Sequence, residues 1–237
     1  MATSITNNTN SEFSFEGIPP LEPGDRLTRA EFERRWEAMP NLKRAELIEG
    51  VVYMAAAVRH RKHGRPNRWI SALLGKYEAA TPGVSGSDNA SVRMDLDNMP
   101  QPDCVLFIEP PHSKTMSISD DDYLEGVPEL IIEVASSSAS YDLGVKMNVY
   151  RRNGVPEYVV CRVLEGEFDW FVLHEGEFRR QVIEDDGIVR STQFPGLWLD
   201  TRALLSGKFA DAFETLDRGL ATAEHEAFVH QLRSQSA

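Results

Sequence analysis

Two runs of this chain, Cys104-Val105-Leu106-Phe107-Ile108 and Leu130-Ile131-Ile132-Glu133-Val134-Ala135, are apolar at nearly every position rather than at alternate ones. A strand with one solvated face alternates, whereas a strand buried on both faces reads as a continuous apolar run. The chain is therefore expected to build a sheet with cover on both sides. Each run also carries one acid: Asp103 opens the first and Glu133 sits inside the second. An ionised carboxylate in such surroundings is costly unless a cation, a metal or hydrogen bonds compensate it. Two of them on neighbouring strands suit one hard divalent ion, because Mg²⁺ takes one or two carboxylates and keeps water or phosphate on its other positions. The plainer alternative is that Asp103 caps a turn and Glu133 pairs with an arginine.

The remaining composition narrows the setting. With 237 residues, 41% hydrophobic and 26% charged, the chain suits one domain with decorated ends. Twenty-five Lys and Arg against thirty-seven Asp and Glu give −12, which argues against nonspecific coating of nucleic acid by a broad basic surface. A local basic groove or a metal site remains open. Cys104 and Cys161 both lie in apolar runs, where a cysteine packs as a small hydrophobe, so a reducing cytoplasm is the expected compartment. No secretory signal and no apolar stretch of ~20 residues is visible, so no membrane partner is expected.

Residues 1–24, rich in Asn, Ser, Thr and then Pro, are expected to form a flexible arm, residues 25–200 the domain, and residues 201–237 a C-terminal helical extension. Thr28 and Glu31 form a capping box ahead of a short helix carrying Phe32 and Trp36. AELIEGVVYMAA holds two β-rich runs around Glu49-Gly50, a strand pair or bent strand. Ile70, Leu73, Leu74 and Tyr77 follow the spacing of an amphipathic helix. Strands are expected at 92–96, 102–109, 129–136 and 157–162, with a helix over 140–152 stopped by Asn153-Gly154, and a hairpin turning at Glu175-Gly176.

Two charge patterns bear on function. The segment 59–68, RHRKHGRPNR, holds five basic residues, two His and no acid, and opens the amphipathic helix; it reads as a phosphate site or as a solvated charged face. Asp142, Lys146 and Tyr150 fall at i, i+4, i+8 and share a helix face just after the Glu133 strand. That face either brings an ammonium beside the carboxylates or displays an ordinary surface ion pair.

Pro102-Asp103, the strand ending in Glu133-Val134, the Ser-rich turn, Asp142-x-x-x-Lys146-x-x-x-Tyr150 and Gly154-Val155-Pro156-Glu157-Tyr158 together resemble the Uma-two family of restriction-endonuclease-like proteins, within the PD-(D/E)XK nuclease superfamily. Glu46-Leu47-Ile48-Glu49-Gly50 resembles that family's E-L-x-[DE]-G stretch, and His63 stands where the family has a His opening a helix. The resemblance spans roughly residues 27–199. It implies an α/β (α+β) restriction-endonuclease-like fold: a central mixed sheet flanked by helices, with β hairpins and a C-terminal helical tail. It implies a metal-dependent endonuclease acting on DNA, with Asp103 and Glu133 as ligands of Mg²⁺, for which Mn²⁺ can substitute. Lys146 would orient the attacking water, Glu46 would be an auxiliary carboxylate, and His63 would contact substrate or metal. A homodimer is the expected assembly. Two departures stand out: Ala135 occupies the place of the superfamily's usual Lys, and Ser137 that of a frequent Pro. The alternatives are a noncatalytic nuclease-fold protein that binds nucleic acid or a protein partner, and a hydrolase of small phosphoesters.

Overall fold

The computed structural model describes residues 17–54 and 57–234. The expected arm lies mostly outside these residues; of its described part, Leu21 is buried beside Phe32, Leu47, Val52 and Met99. Helix α1 (Arg29–Glu37) starts where Thr28 Oγ1 accepts the Glu31 N–H at 3.4 Å, and its Phe32 and Trp36 rings meet edge to face at 5.2 Å. Strands β1 (Glu46–Ile48) and β2 (Val51–Tyr53) form an antiparallel hairpin. Its two turn residues, Glu49 and Gly50, both have positive φ, at 52° and 70°, the twist that suits a two-residue hairpin loop.

A single π-helical turn (His60–Gly64) leads into α2 (Arg65–Ala80), which buries Ile70, Leu73, Leu74 and Tyr77 as their spacing requires. Next come β3 (Val84–Asp88), β4 (Val92–Arg93), β5 (Cys104–Ile108), β6 (Met116–Ile118), β7 (Leu124–Gly126) and β8 (Leu130–Ala135). The strand expected at 92–96 stops after Arg93, because Asp95 turns the chain by accepting the Asp97 N–H and the Asn98 amide, each at 2.8 Å.

The helix after β8 is continuous but not uniform: α3 (Ala139–Tyr141), a π-helical turn (Asp142–Lys146) and α4 (Met147–Asn153) follow one another, ending at Gly154 with φ 84°. Strands β9 (Glu157–Arg162), β10 (Glu167–His174), β11 (Glu177–Arg180), β12 (Ile188–Arg190) and β13 (Trp198–Asp200) follow, then α5 (Thr201–Ser206), α6 (Phe209–Leu220) and α7 (Ala223–Ser234).

The central sheet has the order β11-β10-β9-β8-β5-β3. Only β8 and β9 pair in parallel, across the helical crossover; the other neighbours are antiparallel, so the sheet is mixed. Strict alternation divides its side chains. Leu106, Ile132, Val134, Val159 and Cys161 face a layer made by α2 with Ala212, Leu216 and Leu232 of the C-terminal helices. Val105, Phe107, Ile131, Ala135, Tyr158 and Val160 face Val149 and Tyr150 of α4 and the small β4-β7-β6 sheet. The C-terminal helices thus share one core with the central sheet. By the same alternation Glu133 falls on the α4 side, which decides what it can meet.

Candidate active site

All five residues singled out in the sequence converge on one cleft of about 670 Å³ beside the Glu133 and Asp103 ends of the central strands: Glu46, His63, Asp103, Glu133 and Lys146 line it. The inner three are recessed, with Asp103 and Glu133 4% exposed and Lys146 3%. Asp103 is more than the start of β5. Its Oδ2 accepts the Val134 backbone N–H at 2.8 Å and lies 3.1 Å from His63 Nε2, while Arg44 reaches Oδ1 at 3.5 Å. Burial disfavours its charge, but His63, the Val134 N–H and Lys146 outweigh burial and hold the carboxyl below its ordinary range.

Glu133 has different surroundings. Its Oε1 accepts from both Lys146 Nζ at 2.7 Å and the Tyr150 hydroxyl at 2.8 Å. Neither the arginine pair nor the exposed Asp–Lys pair among the plainer sequence readings occurs. Lys146 Nζ also contacts Glu46 Oε1 at 2.8 Å, and that same oxygen accepts the Gln101 N–H at 2.8 Å. Burial pushes the Glu133 carboxyl up to about 8; Lys146 opposes the rise, and Asp142, Asp103 and Glu46 add to it. Burial alone would discharge Lys146, but Glu133, Glu46 and Asp142 hold its ammonium well above the ordinary lysine range. Three carboxyl groups thus act on one buried cation, two of them in direct contact with it, and Asp142, buried in turn, has its carboxyl raised by burial against the pull of Lys146.

The π-helical turn explains how the lysine gets there. Met147 N–H bonds to Asp142 C=O, an i to i+5 link that widens this turn. Lys146 and Tyr150 then descend together on Glu133, while the Tyr158 hydroxyl ties the Asp142 carbonyl at 2.9 Å. Such single π turns recur at functional sites. The sequence reading missed Arg44, Gln101, Tyr53 and Tyr141. Arg44 and Gln101 each lie two residues before an identified acid, and Tyr141 precedes Asp142, so proximity to the motifs was the one available signal.

The donor set bears on the metal that the nuclease fold implies. Among the described residues no group of three or more His, Cys, Asp or Glu side chains could hold a metal ion. Two carboxylates suffice for Mg²⁺, which retains several waters. The two hydrogen bonds at Glu133 fall on Oε1, which leaves Oε2 for a ligand role, whereas at Asp103 the N–H and imidazole contacts fall on Oδ2 and a ligand at Oδ1 would share it with the long 3.5 Å contact from Arg44. The residues present fit a hydrated hard cation.

The sheet order, the crossover and the carboxylates at the strand ends define a restriction-endonuclease-like α/β protein. A crystal structure of "a putative nuclease belonging to DUF820" from Anabaena variabilis superposes with a TM-score of 0.53 and 13% identity, covering 77% of this chain and 97% of that one, a likeness of fold. Residues 29–202 match the Uma2 family, described as "Putative restriction endonuclease", and the chain belongs to that family. Comparison with curated proteins gives no match. No helix among the described residues is long and apolar enough to cross a membrane.

Proposed function

We propose that this protein is a metal-dependent endonuclease that hydrolyses DNA phosphodiester bonds. One observation carries the reading: two nearly buried carboxylates from adjacent strands, Asp103 and Glu133, open into one cleft with a charged lysine 2.7 Å from the second. Asp103 and Glu133 would hold Mg²⁺, or Mn²⁺ in its place, which when bound polarises a phosphoryl oxygen and lowers the pKa of its water. Lys146 supplies a fixed positive charge beside the reacting phosphate, and Glu46 fixes its direction by accepting from the same Nζ. Arg44 and His63 hold the Asp103 carboxylate in place. Arg59 and Lys62, on the cleft wall, bind flanking phosphates. The overall charge of −12 does not oppose this, because residues 59–68 are purely basic while ten acids and one Lys fill 95–133.

A specific observation also favours a second reading, the noncatalytic nuclease-fold protein: Lys146 Nζ is already in contact with two carboxyl groups of the chain itself, Glu46 and Glu133, so the centre is closed by its own partners. The two separate in one experiment. Calorimetric titration with Mn²⁺, followed by incubation of mixed single- and double-stranded DNA with Mg²⁺ or Mn²⁺, should show a site lost in Glu133→Gln and cleavage lost with it. A wild-type protein that neither binds the metal nor cuts any DNA refutes the enzymatic reading.

A further inference from the structure

The cleft has three kinds of wall. Its floor is the recessed carboxylate and lysine group, its basic side carries Arg44, Arg59 and Lys62, and its lip is apolar and aromatic. On that lip the Tyr53 and Tyr141 rings pack at 4.7 Å, and Val58 and Leu164 stand 53% and 54% exposed. Exposed apolar side chains occur elsewhere on this surface as well, and what sets these two apart is that they stand beside an aromatic pair in a cleft that also carries cationic side chains. The Tyr141 hydroxyl adds a buried polar atom without a hydrogen-bond partner in the same cleft.

A paired duplex satisfies these walls poorly. It presents phosphate and sugar outward and hides its base faces, so its surface offers nothing to an apolar lip. About 670 Å³ lies within the range of sites that enclose ligands of small-molecule size. An unpaired strand matches every wall: its backbone follows cationic side chains and its bases stack on aromatic and apolar ones.

We propose, resting on the nuclease reading above, that the cleft takes unpaired nucleotides, so that the substrate is single-stranded DNA or the unpaired part of a flap or bubble rather than continuous duplex. Phosphate enters between the basic wall and the carboxylate floor, and the adjoining base lies against Tyr53, Val58 and Leu164.

The test is anisotropy binding of labelled dT20, of the dT20–dA20 duplex and of a duplex with a central unpaired bubble, first without divalent metal and then with Mg²⁺ for cleavage. dT20 and the bubble should bind at least tenfold tighter than the duplex. Val58→Asp and Leu164→Asp, both at exposed positions, should each weaken dT20 binding several-fold. Val182→Asp, at a position 83% exposed and outside the cleft, should leave it unchanged. Cleavage should fall within unpaired segments. Equal or tighter binding of the duplex, binding of no DNA, or lip variants no weaker than Val182→Asp would overturn the inference. Cleavage of paired DNA would keep the nuclease reading and discard this one. Clear preference for unpaired DNA without cleavage would keep the occupant and discard the nuclease.

Discussion

Lys146→Ala distinguishes a buried charge centre from a decorative ion pair. An exposed Asp–Lys pair on a helix is worth ~0.5 kcal/mol or less. Lys146 is 3% exposed and contacts two carboxylate oxygens, and removing one partner of a buried pair costs ~3–5 kcal/mol because the other charge is stranded. The loss should depend on pH. Glu133 titrates near 8, above its ordinary 4.5, so it binds a proton in the folded state that the unfolded chain has lost. The stability this contributes is full below the unfolded value and lost as pH rises through the folded one. Lys146 is the cation that opposes this rise, so without it Glu133 should titrate still higher and the decline should extend further. Because the lysine is raised above its own ordinary value, its contribution stays constant across the neutral range. The gap between wild type and variant should therefore be ~3–5 kcal/mol at pH 9, where the wild-type Glu133 is ionised beside its lysine, and smaller near pH 6, where Glu133 already carries a proton. For a chain of this size that is a Tm drop of roughly 6–20 °C. Calorimetric melts in EDTA at the two pH values read it directly. A second variant, Lys146→Met with Glu133→Gln, removes both charges and should recover more than half of the loss. A drop under ~2 °C in Lys146→Ala that is the same at both pH values would refute the buried-centre account.

The other predictions concern neighbouring contacts. Loss of the Asp103 carboxylate relieves its repulsion of Glu133, but Oδ2 accepts the buried Val134 N–H, so Asp103→Ala should lower stability by ~1–3 kcal/mol in urea melts. Asp103→Asn, which keeps an acceptor there, should recover most of that stability while still losing Mn²⁺ affinity by calorimetry. Mn²⁺ affinity of the wild type should rise by roughly tenfold per unit as pH climbs from 6 toward 8, because Glu133 must release its proton to bind; a flat profile would remove Glu133 from the ligand set. Replacing Arg59 and Lys62, the two cations of segment 59–68 that line the cleft, with Gln should weaken DNA binding and reduce the slope of log affinity against log salt by up to ~2, and an unchanged slope would leave that segment to solvent.

Legibility in the sequence followed the scale of each signal. The continuous apolar runs announced the central strands, and Ile70, Leu73, Leu74 and Tyr77 announced α2, because burial on one face or two is a local periodicity. Two-residue strands such as β4 carry no such period, and Asp95, not hydropathy, ends that one. In the site, the acids were visible as charges out of place in apolar runs. Arg44 and Gln101 were not, since a polar residue outside an element has no pattern to violate. Asp103 shows the limit most clearly: its charge was legible, but its bond to Val134 across 31 positions is a consequence of β5 pairing with β8.

The displaced lysine is the instructive departure. Alternation puts position 135 on the same face as Glu133, and an alanine there packs with Val149 and Tyr150 instead of delivering charge. The ammonium arrives instead from the helix that covers that face, through a π-helical turn that brings Lys146 and Tyr150 to one oxygen of Glu133. A lysine on the strand would depend only on the sheet, but one on the helix depends on the packing of α4 through Val149, Tyr150 and Tyr158. Substitutions that loosen this packing, far from any phosphate, should therefore move the lysine first. Val149→Ala, a core truncation worth ~1–3 kcal/mol, should reduce cleavage by more than its stability loss accounts for when assayed well below its Tm. Full activity in that variant at such a temperature would show that the lysine's position is set by its carboxylate partners alone.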